Sequence, residues 1–349
     1  MNACGRQRLA ISLLPSTLAS FIILPQLSPL ATLKEGEMRR QKTWDVVVVG
    51  DFFIDIIMSG FYELPRLGEE SFARTMRTEV GGGAAITSAG LARLGLNVAV
   101  LGVVGHEDGI WIVKRLMAAG VNASALEIHE TEPSGHTVSV STPQDRAFFT
   151  YYGANEQLTR LLKEKEARTL MCSARHVHFA CGPDPVLDAP LFRELRRSGS
   201  NVSIDVGWHE SWLTDSASYD LLRNVDIFFP NEREAELMTG SSDPDEMLAS
   251  FADSGIQRVA LKLGSKGAML DWEGTIYTAP PYPVEPLDTT GAGDSFDAGF
   301  IYGWLSGQPP AECLQMGAVC GALSTRGLGG ISGFPTKAEL EDALSPVKQ

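Results

Sequence analysis

Cysteine is scarce and scattered: Cys4, Cys172, Cys181, Cys313 and Cys320 are the only five in 349 residues. No two have the spacing of a zinc knuckle or a redox dithiol, and a reducing, cytoplasmic compartment is expected. Cys313 and Cys320, seven apart on a predicted helix, share a face and read as core. His176 and His178 alternate along one strand-like run, but two same-face imidazoles without a third ligand do not make a zinc site. Basic residues are in deficit, 29 Lys and Arg against 43 Asp and Glu, a formal charge of −14. That excludes a general nucleic-acid binder, which needs a basic footprint. It leaves room for an anionic small ligand held by backbone amides. No uninterrupted apolar run reaches the ~20 residues of a membrane span, so no membrane partner is expected. Two phosphate-binding fingerprints are also missing. No Gly-x-Gly-x-x-Gly follows the first strand and no Gly-x4-Gly-Lys-Ser/Thr occurs, which sets aside a dinucleotide-dependent dehydrogenase and a P-loop enzyme.

What is present suits a folded α/β chain. Hydrophobic residues make up 44% and charged residues 21%, enough for an ordinary core. Residues 1–42 differ from the rest: Arg6 and Arg8 precede an apolar stretch broken by Pro15, Pro25 and Pro29, and no acid precedes Glu35. This segment resembles a targeting peptide or reflects a start placed upstream of Met38. Either way a dispensable or disordered extension is expected, with one domain over 43–349.

From Trp44 onward, short apolar runs at Asp45–Val49, Val98–Val104, His176–Cys181, Val202–Val206, Val225–Phe229 and Val259–Leu263 read as buried strands. Between them, helical patterns are predicted at Ala84–Leu94, Ile110–Ala119, Glu156–Met171, Ala189–Arg197 and Asn231–Met238, and later at Asp294–Leu305 and Ala311–Thr325. Such alternation predicts a mainly parallel sheet covered by helices. Ser71–Val80 reads as a polar strand. His136–Ser141 and Ala147–Tyr152, around the turn Thr142–Arg146, read as a hairpin. Neither sits in a βα unit, so together they predict a small separate sheet, a candidate lid.

The sharpest local feature is Asp288-Thr289-Thr290-Gly291-Ala292-Gly293-Asp294-Ser295-Phe296-Asp297-Ala298-Gly299, which opens a helix. Gly291, Ala292 and Gly293 carry little side chain, so backbone amides stay open to a ligand. The first amides of a helix lack intrahelical partners and stand at its positive end. Together they form an anion hole. A carboxylate directly after such a hole, Asp294, repels a stored phosphate but suits removal of a proton from a hydroxyl that attacks a phosphoryl group. The bland alternative is an N-capping aspartate after a glycine turn. The helix dipole is expected to lower the pKa of Asp294.

This segment resembles the C-terminal signature of the PfkB (ribokinase-like) family of carbohydrate kinases. The likeness extends from about residue 44 to 345. Val49-Gly50-Asp51-Phe52-Phe53-Ile54-Asp55 is similar to the family's first strand and sugar-binding aspartate, and Gly81-Gly82-Gly83-Ala84-Ala85 with Leu91-Ala92-Arg93-Leu94-Gly95 to its N-terminal signature. Asn231-Glu232-Arg233-Glu234 resembles its Asn-x-x-Glu motif and Lys262-Leu263-Gly264-Ser265-Lys266-Gly267-Ala268 its phosphate-side strand and turn.

The resemblance implies a ribokinase-like three-layer α/β/α sandwich with a small β-sheet lid, its strands within about 52–80 and 134–153. It implies transfer of the γ-phosphate of ATP to a sugar hydroxyl. Asp294 would be the base, with Gly291, Ala292 and Gly293 as the anion hole. Asp55, Gly81 and Gly82 would meet the sugar. Lys262, Gly264 and Gly267 would lie by the nucleotide. Asn231 and Glu234 would hold Mg2+, largely through water, and Asp288 and Thr290 a monovalent cation such as K+. A homodimer through the lid is also implied.

One departure bears on the substrate. Ile86 stands where many relatives carry a sugar-contacting Asn. With Phe53, it leaves open a nucleoside kinase of the same fold. A catalytically silent, kinase-like regulatory protein is the non-enzyme alternative, against which Asp294, Gly291 and Gly293 are intact.

Overall fold

The computed structural model describes residues 42–142 and 146–345. The expected N-terminal extension, apart from Lys42, lies outside the described residues, as does the middle of the Thr142–Arg146 turn.

Among the described residues, nine strands form one sheet and four another. The strands are β1 Trp44–Gly50, β2 Phe53–Ser59, β3 Thr75–Gly81, β4 Val98–Val104, β5 Leu126–Ile128, β6 Gly135–Ser141, β7 Arg146–Tyr151, β8 Ala174–Ala180, β9 Asn201–Ile204, β10 Ile227–Phe228, β11 Arg258–Lys262, β12 Ala268–Trp272 and β13 Thr275–Ala279. The helices are α1 Gly83–Arg93, α2 Gly109–Ala118, α3 Leu158–Leu161, α4 Lys165–Cys172, α5 Ala189–Arg197, α6 Glu210–Leu213, α7 Ser216–Leu222, α8 Glu232–Thr239, α9 Pro244–Asp253, α10 Ala292–Leu305, α11 Pro310–Ser324 and α12 Lys337–Leu344.

The large sheet runs β13-β12-β11-β10-β9-β8-β1-β4-β5. It is parallel from β5 to β11, and only β12 and β13 are antiparallel. The valines of β1 are fully buried between β4 and β8 because helices cover both faces; Val46 and Val48 belong to one core and Val47 and Val49 to the other. This is the expected α/β sandwich. The C-terminal ends of its parallel strands lie along one rim, where such sheets carry their ligands.

The small sheet, β3-β2-β6-β7, is the separate sheet expected. Its polar strand starts at Thr75 rather than Ser71, because its partner β2 ends at Ser59, opposite Thr75. The single helix expected over Glu156–Met171 is interrupted instead: a 3-10 turn and α3 bury Leu158 and Leu161, while α4 buries Ala167 and Met171. The Lys-Glu-Lys-Glu run at the break has helical propensity throughout, but tertiary packing of two separate apolar patches overrides it. The hairpin β12–β13 and helices α9 and α12 were not anticipated.

Cys313 and Cys320 are buried in α11, as expected of core residues. His176 Nε2 and His178 Nδ1 both bond Ser203 Oγ, at 2.7 and 2.8 Å, and burial pushes the His178 pKa down to about 4. They are neutral core histidines. No helix among the described residues is long and apolar enough to cross a membrane.

Candidate active site

The candidate site forms where three glycines join the small sheet to α1. Gly81 ends β3, and Gly82 and Gly83 open α1. Asp55 on β2 lays its carboxylate on Gly81: a Cβ there would stand 1.9 Å from Oδ2. From the other side, Asp294 Oδ1 comes within 2.8 Å of where a Gly83 Cβ would be. Only glycine admits both approaches. The expected sugar-binding aspartate and the expected base therefore flank one turn. Thr87 Oγ1 donates to the Asp294 carbonyl at 3.2 Å and ties α1 to α10.

Gly291 caps α10 in the left-handed region, φ 74°, so that Ala292, Gly293 and Asp294 form the first helical turn. A side chain at Gly291 would collide with Ile86 and Gly330, both within 2.8 Å. Ile86, the residue that replaces a polar one in the resemblance, thus buttresses the loop that opens α10. Asp288 braces the same loop: Oδ1 accepts from the Thr290 amide and hydroxyl, at 2.9 and 2.7 Å, and Oδ2 from the Gly329 amide at 2.9 Å.

Beside the start of α10 lies a buried charge cluster that sequence reasoning did not assemble. Lys262, at the end of β11, donates from Nζ to Asp205 Oδ2 at 2.6 Å and to Asp297 Oδ1 at 3.4 Å. Its ammonium stands 3.4 Å from the Cβ position of Gly293, inside reach of the hole. Burial pushes the Asp205 carboxyl up, but Lys262 and a hydrogen bond from Asp297 outweigh it and bring it to about 2. Asp297 is fully buried and pushed well above the usual carboxylate range, first by burial, then by Asp205. Lys262 thus pairs with both carboxyl groups, while Asp297 Oδ2 stays buried without a hydrogen-bond partner among the described residues.

Asp205, Asp294 and Asp297 are the one carboxylate grouping of metal-ligand spacing among the described residues, and the Lys262 ammonium already stands against two of them. Two signals pointed to the missed residues: Asp205 terminates an apolar strand, and Asp297 follows Asp294 by three positions on an otherwise apolar helix.

The pKa of Asp294 runs opposite to the expectation from the helix dipole. Burial, with the nearby Asp205 charge, raises it to about 7. Desolvation in the half-closed cleft exceeds the help from Lys262 and from its own amide.

Asn231 and Glu234 form a capping box on α8: the Asn231 side chain accepts from the Glu234 amide, and both Glu234 oxygens accept from Asn231. Burial raises Glu234 to about 7. Asn231 adjoins Lys262 across the ends of β10 and β11. Lys262 leads directly into the turn that carries Gly264 and Gly267. A side chain at Gly264 would meet nothing within 4 Å, and one at Gly267 would meet Ala279 and Pro280.

Asp51, just past β1, was not singled out by motif. Its Oδ2 accepts from the Tyr152 hydroxyl, its Oδ1 is buried without a partner among the described residues, and burial raises it to about 7.

The chain is similar to known proteins. The pfkB family carbohydrate kinase pattern matches residues 44–337. A 2-dehydro-3-deoxygluconokinase of Bacillus subtilis is 30% identical over 78% of this chain and 88% of its own length. An ATP-dependent ribose-1-phosphate kinase of Halopiger xanaduensis is 32% identical over 81% of this chain and 92% of its own. Among solved structures, Arabidopsis thaliana ribokinase complexed with ribose and ATP superposes with a TM-score of 0.78 at 26% identity, covering 87% of this chain and 99% of that one. By that match over most of its length, the chain belongs to the pfkB family of carbohydrate kinases.

Proposed function

We propose that the protein transfers the γ-phosphoryl group of ATP to a hydroxyl of a sugar or sugar derivative, with Asp294 as general base. The observation that carries this is the position of Asp294: a carboxylate with a pKa of about 7, beside helix-start amides and across a glycine turn from a second carboxylate. In this reading Asp55 accepts hydrogen bonds from acceptor hydroxyls and fixes the ring. The amides at Gly291, Ala292 and Gly293, with Lys262 behind them, hold the transferring phosphoryl. Asp294 takes the hydroxyl proton as the new O–P bond forms and the bond to the departing ADP breaks. Such transfer depends on positioning and charge stabilisation more than on covalent help.

Magnesium, when bound, would neutralise phosphate charge. Asn231 and Glu234 fit a water-mediated role, since both Glu234 oxygens are spent on the cap. A K+ ion beside Asp288 and Thr290 is a weaker element, because that carboxylate already accepts three hydrogen bonds. The lid would close over the acceptor and exclude water. Its opposite face, away from Asp55, exposes Met76, Phe149 and Tyr151, which supports a homodimer through the lid. A cytoplasmic location goes with this reading.

One observation favours a nucleoside as acceptor. Phe53, two residues before Asp55 on the same lid face, packs edge-on against Tyr152 at 5.8 Å between centroids, an aromatic surface on which a base can stack. A thermal-shift screen of sugars and nucleosides with a non-hydrolysable ATP analogue ranks acceptors by affinity. ADP release with the best of them tests the transfer, and no release with any acceptor rejects it in favour of a silent regulatory protein.

A further inference from the structure

Two buried imidazoles stand in line with the Lys262 cluster and have no part in the transfer as derived so far. Ser203 Oγ lies between His176 Nε2, at 2.7 Å, and His178 Nδ1, at 2.8 Å. On the other side of its ring, His178 Nε2 faces Asp297 Oδ2 at 4.0 Å. Both of these atoms are buried without a hydrogen-bond partner among the described residues. The wall beside the ring is aromatic: His178 meets Phe229 edge-on, and Phe229 meets Phe296 and Phe300.

Counting donors fixes the order of the hydrogens. A neutral imidazole has one N–H and a hydroxyl one hydrogen to give. When Ser203 accepts from His176 Nε2 and donates to His178 Nδ1, the His178 hydrogen sits on Nε2 and points at Asp297 Oδ2. Only the lone pair of His176 Nδ1 is then left over. The reverse order strands an N–H at His176 Nδ1. It also sets a bare lone pair on His178 against a carboxyl whose own proton is directed to Asp205. A buried N–H without an acceptor is the rarer orphan, so the first order holds.

This order bears on Lys262. Its ammonium is tight on Asp205, at 2.6 Å, and loose on Asp297, at 3.4 Å. It also stands 3.4 Å from the Cβ position of Gly293. An ammonium that turns from Asp297 to a phosphoryl group at the start of α10 leaves a buried carboxyl oxygen without its donor, which is costly. A shift of about 1 Å brings His178 Nε2 within hydrogen-bond range of the same carboxyl.

We infer that His178 is a positioning residue for the transfer: its Nε2–H closes onto Asp297 as Lys262 turns to the phosphoryl group, so that the ammonium is released without stranding its partner. The inference rests on the kinase reading and deepens it.

Side-chain 15N–1H spectra of the whole protein test the hydrogen order directly, with the His178 ring assigned by its contacts to Phe229. The ring should be the neutral Nε2–H tautomer. Its Nε2 proton should move downfield when a non-hydrolysable ATP analogue, Mg2+ and the best acceptor are added. An Nδ1–H tautomer, or an Nε2 signal unmoved by ligands that raise the melting temperature, overturns the inference and leaves the kinase reading standing. Two variants differ in reach: glutamine carries its amide nitrogen near the Nε2 position, asparagine near Nδ1. His178→Asn should lose at least about tenfold in kcat with the acceptor KM within about twofold, as for a displaced catalytic group. His178→Gln should keep most of the parent kcat. Equal losses in the two variants, or no loss in either, overturn the inference, and the spectra of the parent decide where a variant does not fold. A protein that neither binds the ATP analogue nor releases ADP with any acceptor overturns the kinase reading and this inference with it.

Discussion

The ammonium of Lys262 lies 2.6 Å from Asp205 Oδ2, with its charge turned towards Gly293. A carboxylate from the end of one strand thus fixes the cation that stands beside the start of α10 at the end of another. Removing one partner of a buried pair typically destabilises by about 3–5 kcal/mol, because the other charge is stranded. Lys262→Met should therefore lose about that much in urea denaturation, and kcat should fall ~10²-fold, as for loss of one donor to a developing charge. Lys262→Met combined with Asp205→Leu should recover most of the stability and none of the kcat. A double variant as unstable as the single would show that the pair is not the unit.

Asp294→Asn keeps the shape of the helix start and loses proton acceptance. A general base contributes ~10²–10⁴ in rate, so kcat should drop by that factor while ATP binding persists or tightens, measured by calorimetry. Turnover within a few-fold of the parent would mean that Asp294 only caps α10.

The raised pKa of Asp294, about 7, sets the rate profile. Only the ionised form accepts the proton, so kcat/KM should climb with pH to a plateau with a midpoint near 7. The climb should be absent from the residual activity of Asp294→Asn. A midpoint near 4 would show that burial does not govern this carboxylate in solution.

Stability should move the opposite way. Asp51, at about 7, Asp55, at about 6, Glu234 and Asp294, each at about 7, bind protons more tightly in the folded than in the unfolded chain. Their favourable contribution is complete below the unfolded value near 4 and is lost as pH rises through 6–7. Asp205, held down to about 2, contributes above pH ~4 and loses that only as pH falls through 2. The ligand-free protein should melt at higher temperature at pH 5 than at pH 8. Asp51→Asn, which keeps an acceptor for Tyr152, should flatten part of that slope. An unchanged slope would place Asp51 outside it.

Gly83→Ala puts a methyl group against Asp294 Oδ1, 2.8 Å away. The helix tolerates alanine, so the melting temperature should hold within a few degrees, while kcat falls at least ~10-fold as the base is displaced. Equal losses of stability and activity would make this glycine a packing residue instead.

Much of this was legible before any coordinates. Asp45–Val49 reads as a doubly buried strand from its unbroken apolar run, and the α/β order follows from alternation of such runs with helical periods. Gly291 to Asp294 reads as an anion hole because helix-start amides are orphaned by local geometry. The single helix read over Glu156–Met171 failed where propensity and packing disagreed. Asp55 and Gly81 were named as site residues through resemblance, but their contact was not visible, since it depends on how β2 pairs with β3.

By itself the sequence determined the elements, the glycine turns and the helix that opens at Gly291, because each depends on residues a few positions apart. The tertiary structure alone decided the electrostatics. Parallel order brings the ends of β9 and β11 beside α10, and so places Asp205, Lys262, Asp294 and Asp297 in one buried cluster. The helix dipole, a local term, argued for a depressed Asp294. Desolvation and the neighbouring carboxylate, which arise only when distant strand ends meet, raise it to about 7.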